Sequence, residues 1–259
     1  MGEVDTIKSD VVMSAAGDFQ SRAVAVYCAQ GLAVLDGFFE PSCVADMAGE
    51  ADRLHDCLRH GALDMERVAY RPTMDNAKTF ERIDPVCDLS DVFSRVARDQ
   101  RVLDLVAASL GDNPILLKDK LIYKFPGDSG YGLHQDYPYF GFAENNFDAV
   151  MNVAVPIDPI SLENGGLRFY LGCHRSLQPA PSDRPRDVDP GVLKEAATFN
   201  ATVAAGTLLL FHSLTPHESG PNHTQHSRRV LFLTFIQNRH AGLREHYYSH
   251  RASDPDIHR

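Results

Sequence analysis

The spacing of apolar residues changes once along this chain. Up to residue 111 they recur mostly at helical intervals, and beyond it they fall into short runs separated by turn residues. In the first part, "SRAVAVYCAQG" (21–31) predicts a short helix ended by Gly31, and "LAVLDGFF" (32–39) a strand. "EPSCVADMAGEADRLHDCLRHG" (40–61) predicts a longer helix, with Pro41 or Ser42 near its start and Gly61 just past its end. "SDVFSRVARDQRVLDLVAASLG" (90–111) reads as one more helix, capped by Ser90 or Asp91 and stopped by Gly111. Its Val92, Val96, Leu103, Val106 and Leu110 form a core-facing stripe. The segment between, 62–88, is long, polar and of mixed charge, and reads as a lid or substrate-binding loop or as a mobile connection.

In the second part, "ILLKDKLIYKF", "FDAVMNVAVPI", "GGLRFYLG", "TLLLFHS" and "RRVLFLTFIQN" alternate with Pro126-Gly127, Asn164-Gly165-Gly166 and Gly206. Many short strands at such spacing predict a β-sandwich or barrel of the jelly-roll kind. The expected organisation is one domain over 1–259. It has a mainly helical part (1–111) covering a jelly-roll core (112–240), and a C-terminal tail (241–259).

Composition narrows the function classes. Of 259 residues, 44% are hydrophobic and 23% charged, as in soluble globular proteins. A formal charge of −10 disfavours a nucleic-acid partner. No apolar run approaches the roughly 18 residues needed to span a membrane. Cys28, Cys43, Cys57, Cys87 and Cys173 are scattered and odd in number, which fits reduced thiols in a cytoplasmic protein. Oligomeric state is left open.

The chemistry is concentrated in "YGLHQDYPYF". His134 and Asp136 stand at i, i+2, which puts both side chains on one face of an extended strand. His217, 81 residues after Asp136, supplies a second imidazole. Two imidazoles and a carboxylate form the facial triad used for non-haem Fe(II), leaving open positions on the metal. Arg228, eleven residues after His217, offers a fixed fork of donors for a carboxylate, and Ser219 adds a hydroxyl beside it. Together they outline a pocket for a dicarboxylate that chelates iron at its other end.

These residues, with "ENGGLRFYLGCHR" and "GTLLLFHSLTPHESGPNHTQHSRR", resemble the phytanoyl-CoA hydroxylase family of Fe(II)/2-oxoglutarate dioxygenases. The ordered set is His134-x-Asp136, Glu163-Asn164-Gly165, His217-x-Ser219 and Arg228. The resemblance implies a double-stranded β-helix with N-terminal helices packed on its outer sheet. It implies His134, Asp136 and His217 as Fe(II) ligands, and 2-oxoglutarate held at its far carboxylate by Arg228 and Ser219. It also implies an O2-dependent reaction that releases succinate and CO2 and oxidises a substrate C–H bond. Related halogenases have a small residue in place of the aspartate, so Asp136 points to hydroxylation.

Among Lys118, Lys120, Tyr123 and Lys124, Lys120 is the residue expected against 2-oxoglutarate; the alternative is a solvated strand face. His212 reads as a core histidine, His174 as a structural or pocket-rim residue, and Arg229 as a surface ion-pair residue pointing away from Arg228. Tyr137, Tyr139, Phe140 and Phe142 are expected at the pocket, and Asn152 and Arg168 could face it. Glu144, Asp148 and Glu163 near the expected mouth suggest an amine-bearing small molecule such as an amino sugar, or another natural product. Two other classes stay open: a Zn(II) hydrolase or isomerase on the same ligands, and a non-catalytic jelly-roll binding protein.

Overall fold

The computed structural model describes residues 10–142 and 146–251. Its first part holds β1 (Val12–Ser14), α1 (Gln20–Gln30), β2 (Leu32–Asp36), α2 (Pro41–Arg59), β3 (Val68–Pro72), β4 (Lys78–Ile83), α3 (Asp91–Ala97) and α4 (Gln100–Leu110). The second holds β5 (Pro114–Lys124), β6 (Tyr131–His134), β7 (Val150–Pro156), β8 (Leu167–Tyr170), β9 (Thr198–Asn200), β10 (Leu208–His212), β11 (His217–Ser219), β12 (Arg228–Gln237) and α5 (Gly242–Arg251).

The strands form two sheets, one of order β1-β2-β10-β7-β12-β5-β4-β3 and a smaller one of order β6-β11-β8-β9. Alternation along each strand decides which face its residues serve. Leu209, Phe211 and Val230 turn inward from the large sheet against Phe169 and Phe199 of the small one. Leu208, Leu210, Leu231 and Leu233 turn outward and pack under Tyr27, Met47, Leu54, Phe93 and Leu105 of the helices. This is the expected jelly roll, with helices on the outer face of the large sheet.

Gly31 ends α1 with φ of 77°, and its carbonyl accepts from the Thr215 hydroxyl at 2.7 Å and His212 N–H at 3.0 Å. A side chain there would strike His174 and Thr215, so helix termination and core packing both require glycine.

Three segments depart from the sequence reading. The block 90–111 is two helices: Ser90 caps the first by accepting from Phe93 N–H (3.2 Å), and Asp99 opens a second by accepting from Arg101 N–H (2.9 Å). The polar segment 62–88 contains the β3–β4 hairpin, which extends the large sheet by pairing Arg82 with Ile122 and Ile83 with Leu121. Its alternation is masked because Arg71, Glu81, Arg82 and Asp84 are buried as charges facing one another. The expected tail begins as helix α5, whose Tyr247 is buried against Phe140; residues 252–259 lie outside the described residues. All five cysteines are free thiols. Among the described residues no helix is long and apolar enough to cross a membrane.

Candidate active site

Strands β6 and β11 run antiparallel with His134 and His217 as register partners, which brings their ring centroids to 4.3 Å. Asp136 lies beyond the end of β6, in helical backbone (φ −71°, ψ −32°) that opens the short turn Tyr137–Phe140. The two-residue spacing therefore succeeds through a strand end, not along a continuous strand. Gln135 between them is buried on the other side, where its amide donates to Ser176 O (3.0 Å) and Leu214 O (2.5 Å).

One ligand atom from each of His134, Asp136 and His217 falls within 4.8 Å of the others. The carboxylate oxygens lie 3.6 Å from His134 Nε2 and 3.8 Å from His217 Nε2. Each imidazole has its Nδ1 on a carbonyl, Gly132 O at 2.7 Å and Thr215 O at 3.0 Å. A carbonyl only accepts, so Nδ1 carries the hydrogen and Nε2 presents its lone pair to the common point. Burial, reinforced by His134, pushes the His217 imidazole down to about 4, so it is neutral and ligand-ready near pH 7. Burial by itself would raise the Asp136 carboxyl, yet His217, His134 and Lys120 hold it well below the usual carboxylate range. Asn152 donates to Asp136 Oδ2 (2.8 Å), and Thr234 donates to Asn152 Oδ1 (2.8 Å), which fixes the amide's orientation. This donor set, two neutral imidazoles and one carboxylate, suits Fe(II).

Arg228 heads β12 in register with Lys124 of β5. It is buried, donates from Nη2 to Gly165 O (2.6 Å), and leaves Nε without a partner among the described residues. Burial lowers its pKa to about 10, which still leaves it charged at neutral pH. Ser219 follows His217 on β11 and accepts from Lys124 Nζ (2.9 Å) and Tyr131 N–H (3.2 Å). Triad, Arg228 and Ser219 line one cavity of about 510 Å³. A buried guanidinium with an unused donor, in the cavity that the triad opens into, fits a dicarboxylate held between the two.

The Glu163-Asn164-Gly165 segment serves this anchor structurally. Asn164 closes a turn through Ser161 N–H (2.9 Å) and Pro159 O (2.8 Å), presenting the Gly165 carbonyl to Arg228. Gly165 has φ of 77°, and a Cβ there would come within 2.6 Å of Gly220 O and Lys124 Cδ. The Glu163 side chain does not line the cavity.

Lys120 lines the cavity, with Nζ 5.2 Å from the Phe232 ring centroid, and burial beside Lys118 lowers its pKa to about 8. Lys124, on the same face of β5, is the lysine that touches Ser219. Tyr139 and Phe140 line the cavity, whereas Tyr137 packs with Phe142 and Phe147. Asn152 faces in; Arg168 turns away to Asn200 and Glu218. His212 is a buried histidine whose Nδ1 accepts from Leu214 N–H (3.0 Å), and His174 lies beside it outside the cavity. Arg229 points the other way, onto Asp158 and Asp52. Of the three carboxylates expected at the mouth, Glu144 lies outside the described residues, and Asp148 and Glu163 do not line the cavity. Sequence reasoning weighed Lys118 only as an alternative to Lys120, and missed Arg82 and the 183–187 loop, with Arg184 and Arg186, as cavity wall. The inward parity of β5 is what Lys118 and Lys120 share.

A jelly roll whose cavity is lined by two imidazoles and a carboxylate together with a buried arginine is the architecture of Fe(II)/2-oxoglutarate oxygenases. Residues 27–230 match the family model described as phytanoyl-CoA dioxygenase (PhyH), and the chain belongs to that family. It is 34% identical over 150 residues to methylphosphonate hydroxylase of Gimesia maris, covering 58% of this chain and 55% of that protein. It is 31% identical over 142 residues to 2-aminoethylphosphonate dioxygenase of uncultured bacterium HF130_AEPn_1, covering 52% and 51%. The chain thus spans about half the length of these curated relatives. Its fold is also that of EctD from S. alaskensis, solved with 2-oxoglutarate and 5-hydroxyectoine. The TM-score is 0.72 at 23% identity, covering 88% of this chain and 80% of that one.

Proposed function

We propose that this protein is an Fe(II)- and 2-oxoglutarate-dependent dioxygenase that hydroxylates a C–H bond of a small anionic metabolite. The observation carrying this reading is the convergence of His134, Asp136 and His217 in one cavity with the buried Arg228 and Ser219. Fe(II) and 2-oxoglutarate, when bound, supply an O2-dependent oxidative decarboxylation to succinate and CO2 coupled to substrate oxidation. His134, Asp136 and His217 would hold the metal, with Asn152 fixing the carboxylate's direction. Arg228 and Ser219 would hold the far carboxylate, and Lys120 adds a cation toward the same dicarboxylate from the cavity wall. Asp136 would be a ligand to the metal where related halogenases have a small residue, which favours hydroxylation. A zinc hydrolase would have no use for the buried guanidinium in the same cavity, nor would a non-catalytic binding protein need the triad.

The substrate class rests on the cavity walls and the relatives. Besides Arg228 and Lys120, they present Arg82, Lys118, Arg184 and Arg186, against Asp136, Asp183, Asp187 and Glu218. With Asp136 committed to the metal and Arg228 and Lys120 to the dicarboxylate, four basic groups meet three acidic ones. Arg82 and Lys118 pair with Asp84, and Arg184 with Asp183 and Asp187, so the basic excess is small. The support for a phosphonate or similar oxyanion is the chemistry named in two relatives. Asp183, Asp187 and Glu218 leave room for an amine on the same molecule, so an amine-bearing natural product such as an amino sugar is retained as the second reading.

The test is anaerobic titration with Fe(II) and 2-oxoglutarate, followed by the weak visible charge-transfer absorption, then succinate release. The release assay uses a panel of methylphosphonate, 2-aminoethylphosphonate and amino sugars. Wild type should give the band, His217→Ala should lose it, and Arg228→Ala should need roughly 100-fold more 2-oxoglutarate. Metal binding without any band would defeat the dioxygenase reading, and turnover of uncharged or purely cationic compounds alone would defeat the anionic one.

A further inference from the structure

We infer that Lys124 is a positioning residue that aims the Ser219 hydroxyl at the far carboxylate of the co-substrate. The inference rests on the proposed reading of the cavity and concerns a residue that does not line it. A serine hydroxyl has one hydrogen to donate and two lone pairs to accept with. Both acceptor directions of Ser219 Oγ are occupied, by Lys124 Nζ at 2.9 Å and by Tyr131 N–H at 3.2 Å. Its hydrogen has no protein acceptor among the described residues, and the residue faces the cavity. The hydroxyl is left as a donor pointing where the dicarboxylate would lie.

Lys124 can impose this because an ammonium only donates. Its Nζ has three acceptors around it: Ser219 Oγ, Gly220 O at 2.7 Å and Gly165 O at 3.3 Å. Three hydrogens meet three acceptors, so none remains for direct contact with a ligand. Burial, with Arg228 and Arg71 close by, pulls the amine down to about 6, while Asp128 and Glu81 act the other way. The three acceptors, and a dianion arriving at Ser219 and Arg228, favour the ammonium; a neutral amine would leave one buried acceptor unpaired. Gly165 O also receives Arg228 Nη2, so Lys124 ties the serine and arginine halves of the anchor to one carbonyl.

The experiment is the same anaerobic titration, with Lys124→Met, Ser219→Ala and the double variant beside wild type. Fe(II) affinity is measured separately by competition with a chelator. Lys124→Met should raise the 2-oxoglutarate dissociation constant about tenfold or more and leave Fe(II) affinity within about twofold. In the double variant the loss should be no greater than the larger single loss, because both act through one hydrogen bond. 2-Oxopentanoate, which lacks the far carboxylate, should show no penalty in either single variant. Independent, multiplying losses would overturn the inference, as would an unchanged constant in Lys124→Met or an equal penalty with 2-oxopentanoate. Should Lys124→Met fail to fold, Lys124→Gln, a shorter neutral side chain, takes its place, and Ser219→Ala can still overturn the inference by treating the two oxo acids alike. Absence of the band in wild type would strike the dioxygenase reading itself, a different outcome from a band that Lys124→Met leaves untouched.

Discussion

Replacing Asn152 by alanine removes an amide donor to Asp136 without touching a metal ligand. The Nδ2 to Oδ2 bond of 2.8 Å goes to an ionised carboxylate in a buried setting. Such bonds contribute about 1.5–3 kcal/mol. Outer hydrogen bonds to metal ligands typically alter metal affinity by about 10–100-fold, or roughly 1.4–2.7 kcal/mol. The two estimates agree, so Asn152→Ala should weaken Fe(II) binding by about 10–100-fold while Arg228 and Ser219 remain in place. Thr234, buried and donating to Asn152 Oδ1 at 2.8 Å, would lose its acceptor, at a cost to folding of about 1 kcal/mol. The assay is anaerobic competition between the protein and a chromogenic chelator for Fe(II), with urea unfolding of the apo-protein alongside. Fe(II) affinity within about twofold of wild type in a normally folded Asn152→Ala protein would refute the claim that the amide orients the carboxylate.

Three further outcomes follow from the same geometry. Arg229→Ala should cost about 2–3 kcal/mol of stability, read by urea unfolding, because Arg229 joins β12 to Asp158 and to Asp52 of α2; its 2-oxoglutarate affinity should be unchanged. Gly165→Ala should destabilise the protein and weaken 2-oxoglutarate binding together, since the turn must open to admit a Cβ; binding at wild-type strength would contradict this. Apo-protein stability should fall as pH drops from about 6.5 toward 4. Burial holds His217 and His212 at about 4 in the folded chain, so the unfolded chain takes up protons first. The slope is up to about 1.4 kcal/mol per pH unit per histidine, and urea midpoints that stay flat between pH 6.5 and 4.5 would rule it out.

The site was legible in the sequence where its residues are close along the chain or carry chemistry that few other positions need. His134-x-Asp136 and His217-x-Ser219 with Arg228 are of that kind, and the structure brings them to one cavity. The strand runs were equally readable, because each alternates between the inter-sheet core and the face under the helices. Legibility failed where burial is achieved by charge. Arg71, Glu81, Arg82 and Asp84 read as a solvated loop because their mutual pairing cannot be seen without the fold. The contact between Lys124 and the serine was not legible for a related reason, while Lys120, the lysine expected toward the dicarboxylate, does line the cavity. Both lysines share a strand face, and only the β5–β12 register, which sets Lys124 opposite Arg228, tells them apart. The break at Asp99 was missed because a good N-cap inside an apolar-periodic block looks like an ordinary polar helix position.

The pairing of His134 with His217 across β6 and β11 has an evolutionary side. Because one ladder sets both imidazoles, the 80-odd residues between Asp136 and His217 are free of any duty to measure distance. Loops in that interval, the 183–187 segment included, can lengthen, shorten or change charge without shifting the metal ligands. The steps from His134 to Asp136 and from His217 to Ser219 have no such freedom, since a single added residue would rotate a side chain out of the cavity. Substrate preference can therefore drift by insertion and deletion in the long interval, while the two short ones are inherited intact.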